Sequence, residues 1–408
     1  MSRTQPSIAV PAANQSRPEP SPRHIALAIA SLAVGGFGIG TTEFAMMGLL
    51  PNVADGVGVG VPEAGHLISA YALGVVVGAP LLAALGARLP RKALALGLMV
   101  LFTLGNLSSF FAPDFGWLLA TRFLAGLPHG AYFGVAAVLA ASMVAPTKRG
   151  RAIAAVMMGL SIANVVGVPL ATMVGQNWGW RLMFVLVAGI GAVTIAAVAR
   201  FVPARPADPA AGIGRELGTL RRGQLWLTLL VGVVGFGGFF AVYTYVANTM
   251  TEVAGLPAAM LPLIVGLYGL GMVAGNVVGG KLADWSVMGG IYAVMAFIAA
   301  MLVLYSVTVH IPVMALVMVF VIGASGAMLI PSLQTRLLDV SPGAATLASS
   351  LNHSALNMAN ALGAFVGGLV IGWGWGYTAP ALVGAVLAVL GLGVAAVSGL
   401  LDRRPASV

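Results

Sequence analysis

Residues 25–50 read IALAIASLAVGGFGIGTTEFAMMGLL and contain one charged side chain, Glu43. A run of this length can cross a bilayer as an α-helix, since about 20 apolar residues span the hydrocarbon core. A carboxylate at mid-membrane costs roughly 2.5–3.5 kcal/mol on insertion scales, so such a group normally faces the interior of a helix bundle. The stretch therefore predicts a membrane helix with an acid on its protein-facing side.

The composition extends this prediction to the whole chain. Of its 408 residues, 59% are hydrophobic and only 8% are charged, whereas a soluble domain carries about 25% charged residues. The absence of cysteine excludes disulfides, thiolate metal sites and cysteine nucleophiles. We therefore predict an all-α, polytopic membrane protein.

Apolar runs bounded by Gly, Pro or charged residues predict twelve membrane helices, six before and six after one Arg-rich hydrophilic break at Pro203–Gly223. The predicted extents are 25–50, 63–86, 93–111, 117–142, 152–175, 181–200, 225–250, 258–281, 289–309, 312–335, 345–371 and 378–400.

The positive charges lie on one side of this arrangement. With both termini on the same side, every Lys and Arg except Arg122 and Arg181 falls in the tails or in loops of that side. The positive-inside rule makes this side cytoplasmic. Topology thus explains the net charge of +9, and we expect no nucleic-acid partner.

The break divides the chain into predicted domains. These are a disordered cytoplasmic tail at 1–23, a six-helix half at 24–200, a cytoplasmic linker at 201–224, a second six-helix half at 225–401 and a tail at 402–408.

Spaced residues recur in the two halves. Tyr71-x-x-Gly74-x-x-x-Gly78 returns as Tyr268-x-x-Gly271-x-x-x-Gly275, and Asn164-x-x-Gly167 returns as Asn360-x-x-Gly363. These near-constant offsets of 197 and 196 indicate a duplicated unit, and duplicated halves around a central site are typical of secondary transporters. The paired glycines also fit close helix packing alone. At the same offsets, Glu43 aligns with Phe240 and Arg122 with Met318, so the intramembrane charges belong to the first half.

Several motifs resemble the major facilitator superfamily. Gly280-Lys281-Leu282-Ala283-Asp284-Trp285 is similar to its cytoplasmic loop signature, and Arg122-Phe123-Leu124-Ala125-Gly126 to its membrane-embedded Arg motif. The loop at 83–92 keeps the basic residues of the signature but has Ala87 and Pro90 where Asp and Gly are usual. With Gly-Thr-Thr-Glu-Phe at 40–44, Leu-Pro-His-Gly-Ala-Tyr-Phe-Gly at 127–134 and a partial antiporter motif at 159–175, the chain resembles the drug:proton antiporters. Within that group it resembles the arabinose-efflux-permease-like and actinomycete chloramphenicol-resistance exporters.

The resemblance implies a monomeric, proton-coupled exporter of small amphipathic compounds in a bacterial inner membrane, with both termini cytoplasmic. Its expected partners are a small-molecule substrate, protons and the lipid bilayer, with no cofactor and no metal. Export of a sugar such as arabinose, or of another endogenous metabolite, is the alternative. A passive channel and a membrane-embedded enzyme are further alternatives, but one deep carboxylate and scattered histidines do not form a catalytic cluster.

Three residues are candidates for proton coupling: Glu43, Arg122 and His129. An apolar environment favours the neutral form of a carboxyl group, whereas a nearby cation favours the charged form. A carboxyl group that is subject to both effects can exchange protons near neutral pH. His129 lies near the helical face of Arg122, and imidazole titrates close to neutrality. For Glu43 and Arg122, the alternative is a static ion pair. For His129 and His353, the alternative is a histidine that is only hydrogen-bonded.

Polar and aromatic residues within the predicted spans are candidates for the substrate cavity: Phe37, Thr41, Tyr71, Asn164, Tyr243, Tyr245, Asn248, Asn276, Asn352, Asn357 and Asn360. Loop cations, helix-end residues and a possible bend in the fifth span are candidates for the conformational switch: Arg88, Arg91, Lys92, Gly167, Pro169, Gly280 and Asp284.

Overall fold

The computed structural model describes residues 21–86, 89–145, 148–204, 218–341 and 345–402, and these residues form helices and short connections without any strand. Twelve helices in this part of the chain are long and apolar enough to cross a membrane. The predicted all-α class and the predicted number of spans are both confirmed.

Six membrane helices form the first half, and we number them α1 to α6. They are α1 Pro22–Val57, α2 His66–Gly86, α3 Arg91–Phe110, α4 Phe115–Gly126 continued by Pro128–Ser142, α5 Arg149–Ile162 continued by a π turn at Ala163–Gly167 and by Val168–Trp178, and α6 Leu182–Phe201. A short helix, Val61–Ala64, leads into α2.

Six further helices, α7 to α12, form the second half. They are α7 Gly223–Thr244, α8 Leu261–Trp285, α9 Val287–Thr308, α10 Pro312–Ala327 continued by Leu329–Val340, α11 Ala345–Gly372 and α12 Ala379–Asp402. After α7 come a short helix, Val246–Asn248, and a π turn, Thr249–Val253; two 3-10 turns, Gly218–Arg221 and Ala258–Met260, precede α7 and α8.

Helix boundaries follow local capping chemistry. The side chain of Asp114 accepts a hydrogen bond from the Trp117 amide at 2.8 Å, and Ser286 caps Gly289 in the same way at 3.1 Å. Such caps satisfy amide groups that the first helical turn leaves without a partner. Helix α1 ends where Gly58 adopts a left-handed conformation with φ 71°, which glycine accepts without steric cost.

Helix α1 is longer than the predicted span at 25–50. It begins at Pro22, inside the predicted tail, and continues through Pro51 to Val57. Proline is tolerated within membrane helices because neighbouring groups compensate the lost backbone hydrogen bond. Residues 1–20, 205–217 and 403–408, which hold most of the predicted tails and linker, lie outside the described residues.

The glycine repeats mark identical helix crossings in the two halves. A Cβ atom on Gly74 would overlap the carbonyl oxygen of Phe123, and one on Gly126 would overlap that of Tyr71. In the second half, Gly271 meets Phe320 and Gly323 meets Tyr268 in the same manner. The missing side chains let α2 pack closely on α4, and α8 on α10.

These crossings correct one sequence alignment. Every matched pair in them, including Gly126 with Gly323, is separated by 197 residues. At this level Arg122 therefore corresponds to Val319, and the predicted match with Met318 is wrong by one residue. The conclusion drawn from that match is unchanged, because Val319 is also apolar and buried.

The two halves share an apolar core on only one side of the molecule. We call the side where α1 begins and α12 ends the terminal side. One continuous buried cluster joins Phe44 to Ala54 of α1, which lie on the opposite side, to most of the core of the second half. On the terminal side, the halves have separate clusters, one around Phe102 and one around Leu229.

Direct contacts join the halves on that opposite side. The hydroxyl of Ser69 on α2 donates to the carbonyl of Ala361 on α11 at 3.2 Å. Near the end of α5, the Gln176 amide donates to the carbonyl of Ala258 at 2.9 Å. The described halves are thus sealed together on the side remote from the chain ends.

Candidate functional site

Glu43 lies inside the helix bundle. Every residue of α1 from Gly38 to Leu50 is buried, and Glu43 is only 4% exposed. Helix α1 is therefore surrounded by protein along this stretch, and the carboxylate faces protein instead of lipid.

His129 is the basic group nearest to this carboxylate among the described residues. Its Nδ1 atom lies 3.9 Å from Oε2 of Glu43 and 3.2 Å from the hydroxyl of Tyr71. His129 is 1% exposed and begins the second part of α4, directly after Leu127 and Pro128. The sequence therefore places an imidazole between a phenol and a carboxylate, and this arrangement can relay a proton.

Arg122 binds the residue next to Glu43. Its guanidinium donates to Oγ1 of Thr42 at 3.0 Å and to the Thr42 carbonyl at 3.2 Å, and Thr42 in turn donates to Asn106 at 2.6 Å. The guanidinium also lies over the Tyr71 ring, 4.4 Å from its centroid, a favourable cation–π contact.

The alternative of a static Glu43–Arg122 ion pair is not found. Within the described part of the chain, the basic group within 4 Å of the carboxylate is His129, and Arg336 pairs with Asp402 far from this site. Arg122 thus supports the local backbone of α1 and supplies positive charge near the carboxylate without occupying its oxygens.

An aromatic wall from the second half faces this polar cluster. Tyr243 of α7 stacks on Phe44, the residue after Glu43, with ring centroids 5.6 Å apart. Tyr243 also stacks on Tyr268 of α8, with ring centroids 3.9 Å apart. The buried hydroxyl of Tyr243 has no hydrogen-bond partner among the described residues.

A second histidine approaches from across the interface. His353 of α11 has its ring centroid 6.3 Å from that of His129 and is stacked on Phe133 at 5.5 Å with an interplanar angle of 3°. His353 was not among the predicted site residues. The signal that could have identified it is the presence of an imidazole in a predicted membrane span of each half.

Four predicted cavity amides have unpartnered atoms. Neither amide atom of Asn360 has a hydrogen-bond partner in the described chain, and the Oδ1 atoms of Asn164, Asn248 and Asn357 also have none. Asn164 lies in the π turn of α5 and packs against Gly269 of α8, so it lies at the interface of the halves.

The other predicted cavity residues have separate surroundings. Thr41 donates to the carbonyl of Phe37 at 2.7 Å, and both pack against Gly167. Four residues lie elsewhere in the second half: Tyr245 bonds to Ala364, Asn248 to Glu252, Asn352 to Gln334, and Asn276 is half-buried on α8.

The predicted switch residues divide between the interface and the surface. Gly167 and Pro169 belong to the interrupted part of α5, and Pro169 packs against Gly266 of α8. Lys92 donates to the Ala199 carbonyl at 2.7 Å near the end of α6. Of the remaining four, Arg91 and Gly280 are half-buried, Asp284 is exposed, and Arg88 lies outside the described residues.

Comparisons with known proteins agree with this architecture. The chain is 41% identical to "Inner membrane transport protein YdhP" of Escherichia coli (strain K12), covering 89% of this chain and 93% of that protein. It is 35% identical to a "Chloramphenicol resistance protein" of Streptomyces lividans, covering 89% and 94%. A solved structure of a bacterial homolog of the human lysosomal transporter Spinster, inward-facing and occupied, matches the fold with a TM-score of 0.73 at 16% identity, over 95% of this chain and 100% of that one.

The family model of the Major Facilitator Superfamily matches residues 32–346. This match covers most of both halves, and the similar proteins are membrane transporters instead of enzymes. The chain is therefore a multi-pass membrane transporter that belongs to the Major Facilitator Superfamily.

Proposed function

We propose that this protein is a proton-coupled exporter of small amphipathic compounds that works by alternating access. The observation that carries the proposal is the buried Glu43 carboxylate, 3.9 Å from His129, in a helix packed against both halves. An acid inside a membrane bundle is costly, and it usually takes part in ion or substrate movement.

The coupling follows from competition for one group. When the site faces outward, Glu43 takes up a proton; when it faces inward, the carboxyl group releases that proton and the cavity accepts substrate. Rocking of the two halves around the site changes the side of the membrane to which the site opens. The separate cores of the halves on the terminal side support this motion, because separation there would break neither core.

An amphipathic drug is the substrate class we favour. Tyr243 and Tyr268 place buried aromatic rings beside a polar cluster, and rings uncovered there by movement of the halves would suit a molecule with both characters. The Streptomyces relative is named for chloramphenicol resistance, so chloramphenicol is the first compound to test.

Export of a sugar or a polar metabolite is the second candidate. The observation that favours it is the set of buried amides with unpartnered atoms, Asn164, Asn248, Asn357 and Asn360. Buried amides without partners are costly, and a hydroxyl-rich substrate would satisfy them.

We further propose that the transporter lies in a bacterial inner membrane as a monomer, with the terminal side in the cytoplasm. The concentration of Lys and Arg in the segments of that side supports this orientation. The proposed domain division, with tails at 1–23 and 402–408 and a linker at 201–224, places all three hydrophilic segments there.

The deciding experiment uses the full-length protein in proteoliposomes with an imposed pH gradient. We expect Glu43→Gln to abolish gradient-driven transport of chloramphenicol while counterflow of the same compound continues. Glu63→Gln, which changes an exposed carboxylate in the helix before α2, is the matched control and should transport normally. Gradient-driven transport by Glu43→Gln at the wild-type rate would refute the coupling proposal.

The same vesicles separate the two substrate classes. Counterflow of chloramphenicol without counterflow of arabinose supports the amphipathic class. The opposite result favours the sugar exporter, and we then expect Asn360→Ala to reduce the rate more than Tyr243→Phe does.

A further inference from the structure

The contact between His129 and His353 joins the two halves directly beside the carboxylate. His129 belongs to α4 of the first half and His353 to α11 of the second, and their ring centroids are 6.3 Å apart. Phe133, one turn after His129, lies parallel to the His353 ring and holds it in place. Both helices thus contribute to one aromatic contact.

Burial changes along this row of side chains. Glu43 and His129 are buried, whereas His353 is half-buried. His353 also lies near the start of α11, which begins on the terminal side, where the halves have separate cores. The row therefore runs from the interior toward the side of the molecule where the halves do not share a core.

We propose that His353 exchanges protons with Glu43 through His129, so that the proton path crosses from one half to the other. This inference rests on the proton coupling proposed above and names its route on the terminal side. In the uptake direction, a proton leaves a ring nitrogen of protonated His353 for a nitrogen of His129. His129 then gives a proton from its Nδ1 atom to Oε2 of Glu43, which leaves both imidazoles neutral and the carboxyl group protonated.

The distances fit this sequence of transfers. The Nδ1 atom of His129 and the Oε2 atom of Glu43 are 3.9 Å apart, so a small side-chain rotation brings them within hydrogen-bond reach. Between the two rings, the separation is too long for a direct hydrogen bond, and one bridging water would span it.

Among the residues whose side chains the structure describes, few titratable or charged groups surround the row. Glu43 faces His129 from α1, Tyr71 faces it from α2, and Arg122 of α4 lies over the Tyr71 ring. His353 is faced by His129 itself. On the same helix, the neighbouring Asn352 bonds to the neutral Gln334 of α10.

The proton path contains residues of both halves, so protonation of Glu43 depends on how the halves are arranged. The row is continuous only while α4 and α11 touch at this level. When the halves separate on the terminal side, His353 moves away from His129, and protons then reach Glu43 by another route. Movement of the halves would thereby connect Glu43 to His353 or disconnect it.

A pH-jump experiment tests the route without any substrate. The full-length protein in detergent is moved rapidly from high to low pH, and the infrared band of the protonated Glu43 carboxyl group, identified by its loss in Glu43→Gln, is followed in time. We expect His353→Gln to slow the appearance of this band by about 100-fold or more, the lower end of the usual contribution of a positioned proton donor. His66→Gln is the matched control, because His66 also stacks across the interface, on Phe365 of α11, but is exposed on the opposite side.

The outcomes are distinguishable. A wild-type rate in His353→Gln, with the band still absent in Glu43→Gln, overturns the relay and leaves the coupling proposal intact. No Glu43-dependent band in the wild type at any pH overturns both. If His353→Gln is poorly folded, Phe133→Leu takes its place: it removes the ring that holds His353, and we expect it to slow the band while His66→Gln does not.

Discussion

The two halves use the same helix crossings for opposite chemistry. In the first half, Tyr71 lies beside Arg122 and His129. In the second half, its counterpart Tyr268 donates to the Phe239 carbonyl at 3.2 Å and stacks on Tyr243.

The counterparts of the first half's polar residues are apolar. With the offset of 197, Thr42 and Glu43 correspond to Phe239 and Phe240, which pack edge to face at 5.0 Å. The scaffold therefore does not dictate the chemistry; the side chains placed on it make one half a polar cluster and the other an aromatic wall.

Moving the carboxylate to the second half tests this comparison most severely. In the double variant Glu43→Phe/Phe240→Glu, the acid would lie among Phe236, Phe239 and Tyr243, where no described cation is close. We expect complete loss of pH-driven transport in proteoliposomes, measured at equal amounts of monodisperse protein. Restored transport would mean that the surroundings of Glu43 are irrelevant to coupling.

Arg122→Met should produce the next largest effect. The change removes two hydrogen bonds from a charged group to Thr42. Because each is worth about 1.5–3 kcal/mol, we expect a loss of about 3 kcal/mol in stability. Thermal unfolding measures it, with Arg181→Met as the matched control.

Arg181 is partly exposed and donates to the Ala112 carbonyl at 3.1 Å. Its removal should cost about 1.5 kcal/mol, the lower value for one bond from a charged group, because water can replace part of the lost contact at a partly exposed side chain. Equal losses of stability in the two variants would contradict the expectation that the buried arginine stabilises the protein more than the partly exposed one.

The paired glycines should respond equally in both halves. Gly74→Ala and Gly271→Ala each place a methyl group against a backbone carbonyl, which costs about 1–3 kcal/mol by overpacking. Gly97→Ala, where nothing lies within 4 Å, should be neutral or slightly stabilising in the same unfolding assay. A large difference between the first two variants would break the structural equivalence of the crossings.

The matched tyrosines give the smallest and most discriminating test. Tyr71→Phe and Tyr268→Phe each remove one hydroxyl hydrogen bond, so both should lose about 1 kcal/mol of stability. We expect only Tyr71→Phe to change the pH profile of transport in proteoliposomes, since only its hydroxyl contacts His129. The same change of profile in Tyr268→Phe would contradict the assignment of proton chemistry to the first half.

Hydropathy and glycine spacing were sufficient for the fold. A membrane span requires a long apolar run, and close helix crossings require small residues at fixed spacing, so both are visible in a sequence. The length of α1 was underestimated because Pro51 suggested an end, whereas the helix continues through it to Val57.

The site was only partly predictable. Burial of Glu43 followed from the cost of a charge in lipid. The sequence does not specify how helices are rotated against one another, so it did not show that Arg122 binds Thr42 or that Glu43 faces His129. His353 was named from the sequence but not assigned to proton coupling, because its contact joins helices far apart in the chain. The coupling roles themselves stay predictions.

The π turn at Ala163–Gly167 explains a mismatch between the repeats. Asn164 and Gly167 match Asn360 and Gly363 at an offset of 196, but Trp178 matches Trp373 at an offset of 195. A π turn is equivalent to one extra residue inserted into an α-helix, and α11 is continuous through the corresponding region. The offset changes between Gly167 and Trp178, directly after the turn, so we infer that after duplication of a six-helix unit one copy gained a residue in this part of the fold or the other lost one. Deletion of one residue in this part of α5 would give it the same helical register as α11, its counterpart in the second half.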